Sequence, residues 1–349
     1  MNAKERLSRL TKVLAASKGR DILIVLTQLD PDAIGGGLAF KFLLKKGFSI
    51  DAAIGYFGAI GNQQNKAVFN LFDLGRVIKP LTPKDITSDA LIVLIDSSAT
   101  EDSRVGIHLD PRIVIDHHSG TTLVENKSIF IWVEDTGSAT TLVTELIRAK
   151  GLTCKDDEER TVFILASLGI YTDTDSLVDA GKRDLAAYSW LGKFYDESEL
   201  IALLRYRLSR YYFENLTHAL THRRIEGPRL VANAGIMRPD EGDDLAIIAD
   251  LLSRMEGISL VIVWGLIQNP AQPSTDIVRL SARSTDISMS LGSFLQDRFG
   301  AGGAKLSQGG KGIGGAQFKP RMTWNGKRMK GKELLGLTST RIKQIIFGE

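Results

Sequence analysis

The stretch RIVIDHH closes an apolar run with Asp116, His117 and His118. The chain holds five histidines, and two of them stand side by side at the end of what reads as a buried strand. Imidazoles ligate metals, carry protons and meet phosphate oxygens. A lone histidine in such a place is more often a hydrogen-bonded structural residue; a pair beside Asp116 is much harder to read that way. Other acids share the setting. DILIVL runs into TQLDPDAIGGG and delivers Asp30 and Asp32. LIVLI ends in Asp96. The helix-like FILASLGI leads into YTDTDS, with Asp173 and Asp175. Ligands of a parallel sheet bind at the carboxyl ends of its strands, so these acids are expected on one rim. Carboxylates gathered there repel one another strongly unless a cation compensates. Oxygen ligands with one or two imidazoles suit Mn²⁺ or Mg²⁺, and the single cysteine, Cys154, cannot build a thiolate zinc cage. Taken singly, Asp30, Asp32 and Asp173 are better read as turn formers or helix caps. Asp96 directly follows five apolar residues and is expected to be partly buried. The joint pattern, not any one member, points to a metal site.

The elements that must position these residues follow from hydrophobic spacing. Leu7, Leu10 and Leu14 share one helical face near the start. Short continuous apolar runs, DILIVL, DALIVLIDSS, PRIVIDHH and IFIWVED, read as buried parallel strands. SIDAAIGY reads as a further strand. Between them LAFKFLLKKG, NKAVFNLFDLG and SATTLVTELIRAKG read as helices, the last with Ser138 near its start. Strands alternating with helices predict an α/β fold with a mostly parallel sheet flanked by helices. Residues 195 to 224 look helical. After them RLVANAGIM, LAIIADLLSRMEG, ISLVIVWGLIQ and IVRLSARS predict a second, smaller α/β unit. The reading is thus a first domain over 1–195, a helical connector over 196–224 and a second domain over 225–349. A glycine-rich segment over 300–315 reads, by itself, as a flexible loop.

The 349 residues carry a formal net charge of +3, which announces neither a general nucleic-acid binder nor a membrane-surface protein. No apolar run approaches the roughly 18 residues of a membrane span. The opening MNAKERLSRLTKVLAASKG lacks the apolar block of a signal peptide. One cysteine fits a reducing compartment, so a cytoplasmic setting is expected.

These motifs together resemble the DHH phosphoesterase family, named for the triplet seen here as Asp116-His117-His118. DPDAIGG resembles the family's first acidic motif, IDSS its second, IDHH its third and LGIYTDT its fourth. EDTGSATTLVTEL resembles the segment between the last two. SARS and GGKGIGGAQ resemble the family's C-terminal associated domain. The resemblance implies phosphoester or phosphoanhydride hydrolysis with two metal ions, usually Mn²⁺, with Mg²⁺ or Co²⁺ as alternatives, in a cleft between the domains. Carried over by position, Asp96 would bridge both ions, and Asp32, His117 and Asp173 would complete one site. Asp30 would help hold the other. His118 and Arg283 would face the substrate phosphate and act in catalysis with Asp96. Arginine suits that task because its fork makes two parallel bonds to phosphate oxygens. Lys311 stands near where relatives often carry a histidine, and backbone N–H groups around Gly309, Gly310, Gly314 and Gly315 would approach phosphate closely.

Two departures stand out. Relatives usually carry a histidine four residues before the first Asp; here the position is Leu26, so the first ion's site is expected to be weak. Gln28 is the candidate substitute ligand. Asp175 also stands where relatives often have glycine. The resemblance favours the branch acting on short oligonucleotides, linear dinucleotides or nucleoside bisphosphates, and so a short nucleic acid or nucleotide partner. It leaves the oligomeric state open, a homodimer included. The rival reading is a non-catalytic or weakly active nucleotide sensor. LRYRLSRYYF interleaves basic and aromatic residues, but it is better read as a helix with Leu204, Leu208 and Tyr211 packed inward. The basic KPRMTWNGKRMKGK, with Trp324, is the better electrostatic candidate for nucleic acid.

Overall fold

The computed structural model describes residues 2–58, 60, 63–101, 105–118, 121–268, 276–306, 310–320, 323–324 and 327–348. It falls into two compact units, Met1–Tyr206 and Arg207–Glu349. The first contains α1 (Ala3–Ala16), β1 (Ile22–Leu26), α2 (Pro31–Phe48), β2 (Ala52–Tyr56), α3 (Gln63–Leu71), β3 (Ile78–Pro80), β4 (Leu91–Ile95), β5 (Pro111–Asp116), β6 (Phe130–Val133), α4 (Ala139–Ala149), α5 (Asp157–Asp173), α6 (Lys182–Leu191) and α7 (Glu197–Leu204). Its six strands form one parallel sheet in the order β3-β2-β1-β4-β5-β6. The apolar runs are continuous because both faces are covered. Ile22, Ile24 and Leu26 of β1 join Leu91, Val93 and Ile95 of β4 in a core under the helices. Leu23, Val25, Ile92 and Leu94 point the other way, into a second core closed by Phe57, Val105 and Leu109.

The strand order reverses between β1 and β4. From β1 the chain steps outward through β2 and β3, and from β4 it steps the opposite way through β5 and β6. That reversal opens a crevice at the carboxyl ends, where such sheets hold ligands. Asp30 and Asp32 emerge after β1 and Asp96 after β4, so the switch point is lined with acid.

Sequence spacing starts the second helix at LAFKFLLKKG; in the structure α2 begins at Pro31 and carries Gly35, Gly36 and Gly37 inside it. Asp30 caps it, accepting from the Ala33 N–H at 2.9 Å, and Pro31 occupies its first turn. The glycines belong to a close helix crossing. A Cβ on Gly35 would lie 2.5 Å from the Leu165 carbonyl oxygen, and one on Gly169 2.8 Å from that of Pro31. Backbone contact between α2 and α5 outweighs the helix penalty of glycine, about 1 kcal/mol each.

The second unit contains α8 (Arg210–Thr221), β7 (Arg224–Glu226), β8 (Arg229–Met237), α9 (Asp244–Leu252), β9 (Leu260–Ile267), β10 (Ile277–Ser284), α10 (Leu291–Phe299), β11 (Gly303–Leu306), β12 (Gly312–Phe318), a short hairpin of β13 (Thr323–Trp324) and β14 (Lys327–Arg328), and α11 (Gly331–Phe347). Its six-stranded sheet runs β11-β12-β10-β9-β8-β7 and is mixed: β8 and β9 are parallel, the other pairs antiparallel. Helices α10 and α11 pack one face through Leu291, Leu295, Leu334 and Ile342. Helices α8 and α9 cover the other through Tyr212, Ala219, Leu245 and Ile248. Of the glycine-rich segment, residues 303–306 and 312–315 are strand. In LRYRLSRYYF the inward tyrosine is Tyr212, because Ser209 caps α8 and sets its phase. Tyr211 is exposed, with the Arg238 guanidinium 3.6 Å from its ring centre. The Trp324 side chain and Gly309 lie outside what the structure describes. Among the described residues no helix is long and apolar enough to cross a membrane.

Candidate metal centre

Four acidic or imidazole groups converge at the switch point from four separate elements. Asp96 follows β4 with φ +60°, a left-handed conformation that few non-glycine residues adopt and that Asp tolerates better than most. Its N–H is tied to the Ile115 carbonyl at 2.9 Å, so the neighbouring strand holds the turn. His117 follows β5. Its Nδ1 lies 3.0 Å from the Thr136 carbonyl. A carbonyl only accepts, so Nδ1 carries a proton and Nε2 is the ring atom left for a metal, the arrangement metal-ligating histidines use. That Nε2 lies 3.3 Å from Asp96 Oδ1, 3.0 Å from Asp173 Oδ2 and 3.9 Å from Asp32 Oδ2. Asp173 is the last residue of α5. Asp32, in the first turn of α2, is 1% exposed. Its two oxygens accept the Ala139 N–H at 2.8 Å and the Thr140 N–H at 3.0 Å. These are free backbone donors at the start of α4, where a helix favours negative charge.

The DHH triplet divides its labour. Asp116 is 1% exposed and does not face the cluster with its charge. Its Oδ1 accepts the N–H groups of His117 at 2.8 Å and His118 at 3.1 Å, and His118 Nδ1 at 2.8 Å. Asp116 therefore bends the chain and orients His118. Burial raises its carboxyl, but the bonds from His118 outweigh that and hold it below the usual carboxylate range. Sequence reading gave Asp116 no separate task.

The electrostatics are those of a cation site. Burial lifts the Asp96 carboxyl well above the ordinary carboxylate range, and Asp30 and Asp32 lift it further. Burial and then Asp173 do the same to Asp32. Burial pulls His117 down, yet its contacts with Asp173 and Asp96 prevail and push it up to about 12. Asp96 Oδ1 and His117 Nε2 are buried, and neither makes a hydrogen bond of proper geometry. Two sets of ligand atoms lie within 4.8 Å of one another: Asp32, His117 and Asp173, and Asp96, His117 and His118. Carboxylates plus imidazole, without thiolate, fit Mn²⁺ or Mg²⁺.

Residues 21–170 match the DHH family, N-terminal domain. The matched stretch lies within the first unit. An uncharacterized protein of Methanocaldococcus jannaschii is 30% identical over 315 residues, which are 89% of this chain and 62% of that protein. The chain therefore spans less than two thirds of that relative's length. An exopolyphosphatase-related protein from Bacteroides fragilis shares the fold with a TM-score of 0.68 at 14% identity, over 99% of this chain and 98% of the other. RecJ from Thermus thermophilus, solved in complex with Mn²⁺, matches with a TM-score of 0.50 at 14% identity, over 98% of this chain and 54% of that one.

Other expected site residues fall elsewhere. Asp30 stands near enough to raise Asp96, but its Oδ1 caps α2 and its Oδ2 accepts the Gln28 amide at 2.9 Å. Gln28 meets that acid through its amide nitrogen. Leu26, at the position where relatives carry histidine, is fully buried in the core. In the second unit Arg283 is 5% exposed, and its guanidinium grips Asp250 at 2.6 and 2.8 Å. Its remaining hydrogens go to Ser281 Oγ and the carbonyls of Ala282 and Ala246. Lys311 Nζ lies 3.1 Å from Asp250 Oδ1. Gly310 has φ +80°, while Gly314 and Gly315 sit inside β12. A Cβ on Gly314 would lie 2.8 Å from the Gly303 carbonyl oxygen, so the β11–β12 pairing itself calls for glycine there. Sequence reading missed Asp250, one of two acids in the mostly apolar α9. It also missed the Thr136 carbonyl and the two α4 N–H groups, although SATT had marked that helix start.

Proposed function

We propose that this chain hydrolyses phosphoester bonds of short oligonucleotides, linear dinucleotides or nucleoside bisphosphates, using divalent cations, Mn²⁺ first. The observation that carries the reading is the convergence of Asp32, Asp96, His117 and Asp173, buried or partly buried, with an excess of negative charge around one imidazole. The Mn²⁺ in the structurally similar RecJ supports manganese. When bound, such cations would acidify a water and offset charge on the phosphoryl oxygens. The protein's share is arrangement. Asp96, fixed by its left-handed turn, belongs to one ligand set and lies 3.3 Å from His117, which belongs to both. Asp32 is locked by two N–H donors and cannot swing away. His118, its Nδ1 held by Asp116 and its side chain 43% exposed, turns its other nitrogen to incoming phosphate. Arg283 is assigned to phosphate as well, and Lys311 beside it; both must then share or leave Asp250.

One set of observations favours a second reading, a nucleotide sensor with little turnover. Leu26 fills the place of an imidazole, and both Asp30 oxygens already accept hydrogen bonds. A panel of labelled dinucleotides, short oligonucleotides and nucleoside bisphosphates, each with Mn²⁺, Mg²⁺ or Co²⁺, separates the two. The hydrolase reading expects metal-dependent product release that Asp96→Ala abolishes. Tight nucleotide binding without release under every metal would establish the sensor instead.

A further inference from the structure

Two of the four groups at the metal centre are not held by their own elements. His117 takes its orientation from the Thr136 carbonyl, and Asp32 takes both its hydrogen bonds from Ala139 and Thr140. The five-residue reach from Thr136 to Thr140 thus fixes the tautomer of one ligand and the rotamer of another. Something must fix that reach, and Asp184 is placed to do so.

Asp184 lies in the first turn of α6 and is 1% exposed. Capping α6 needs only the bond from the Gly181 N–H, at 2.9 Å. The rest of the carboxylate turns to the segment before α4. The Gly137 N–H meets both its oxygens, at 3.1 and 3.0 Å, and Thr141 Oγ1 donates at 2.6 Å. Gly137 immediately follows the carbonyl that holds His117, and Thr141 immediately follows the N–H groups that hold Asp32. Asp184 therefore grips the segment on either side of its working groups. Glycine is required at the grip: a Cβ on Gly137 would fall 2.3 Å from Thr174 Cγ2 and 2.8 Å from Asp184 Oδ2. Thr174 is the neighbour of Asp173, so a third ligand's flank packs on the same point. Among the described residues this buried carboxylate is satisfied by neutral donors and has no cationic partner. Such burial is costly, and a helix cap alone does not demand it.

We infer that Asp184 is a positioning residue of the metal centre, acting through the Thr136–Thr141 segment on His117 and Asp32. The inference rests on the metal-site reading above. Partners of this kind typically change metal affinity by roughly tenfold to a hundredfold when removed. Asp184→Asn keeps the size of the side chain but turns an NH₂ toward the Gly137, Gly181 or Thr141 donors.

The experiment measures Mn²⁺ binding by electron paramagnetic resonance of the free ion, well below each variant's melting temperature, together with the ¹⁵N and ¹H signals of the His117 Nδ1–H in the Mg²⁺-loaded chain. Wild type, Asp184→Asn, Thr141→Val and Leu191→Ala are compared. Leu191→Ala removes a buried α6 side chain away from the grip and reports mere loss of stability. Asp184→Asn should weaken Mn²⁺ roughly tenfold or more and shift or broaden the His117 Nδ1–H signal as its bond to the Thr136 carbonyl loosens. Leu191→Ala should lower the melting temperature and leave both signals unchanged. Should Asp184→Asn not fold, Thr141→Val decides, with an expected weakening of about threefold to fivefold. Folded Asp184→Asn with wild-type Mn²⁺ affinity and an unmoved His117 proton overturns the inference alone. Absence of Mn²⁺ binding by the wild type overturns the metal-site reading, and the inference with it.

Discussion

The switch point of the first unit and the Arg283 cluster of the second are both buried and charged, and they are built on opposite terms. At the switch point Asp32, Asp96 and Asp173 crowd one imidazole, and burial, then the neighbouring acids, push up the carboxyls of Asp32 and Asp96. Around Arg283 the charges close on themselves. Asp250 takes both arms of the guanidinium and the Lys311 ammonium, and although burial raises its carboxyl, those cations prevail and hold it below the ordinary range. The first region keeps an excess of negative charge. The second is complete as it stands, and any phosphate it takes must compete with an internal carboxylate. Loss of a group should therefore act oppositely in the two places.

The largest effect is expected at Asp96. Asp96→Ala should lower Mn²⁺-dependent hydrolysis by about a thousandfold or more, since the group adjoins both ligand sets. In metal-free buffer the same variant should melt at a higher temperature than wild type, because one of several repelling buried acids is gone. A lower metal-free melting temperature would break the contrast drawn here.

Gly169→Ala comes next. Its Cβ would lie 2.8 Å from the Pro31 carbonyl oxygen and 3.0 Å from Asp32 Cα. Forcing α2 from α5 should cost about 1–3 kcal/mol in denaturant unfolding and weaken Mn²⁺ as Asp32 shifts. Asp250→Ala should act on stability alone. It strands the Arg283 charge, but the carboxylate is 42% exposed, so the loss is about 1–3 kcal/mol rather than that of a fully buried pair. Its pH signature has a definite sign. A carboxyl lowered by folding contributes stability above its unfolded range, and that contribution fades as pH falls through the lowered folded value. The wild type should thus lose its advantage over Asp250→Ala only in strong acid, with Mn²⁺ affinity unaffected at neutral pH.

The smallest effect is expected at Asp175. This residue, Ser176 and Leu177 follow one another with φ of +46°, +61° and +70°, so glycine at the first position would relieve strain. Asp175→Gly should be neutral or stabilising by up to about 1 kcal/mol. A clear loss in thermal melting would show instead that the Asp175 side chain matters.

What the sequence made legible follows from local physics. Apolar runs of strand length announce buried strands wherever they occur, and acids directly after them must emerge at one edge of a parallel sheet. Asp30, Asp32, Asp96 and His117 were readable for that reason. Asp173 was readable as an acid but not as a helix terminus, since α5 carries an apolar core on nearly every side near its end. Asp184 and Asp250 left no trace, because one acid within a helix looks the same whether it faces water or grips a buried neighbour. The α2 glycines read as a turn because their reason for being there, the backbone of α5, is distant in the chain. Tyr212 was missed for Tyr211 because a single residue of helical phase depends on the Ser209 cap.

The central claim is that these separate elements together hold a bivalent ion. Anomalous difference maps from manganese-soaked crystals test it most directly. The account predicts a strong manganese peak among Asp32, Asp96, His117 and Asp173, absent from Asp96→Ala crystals soaked alike. An empty map at those side chains in the wild type, with manganese in ample supply, would contradict it.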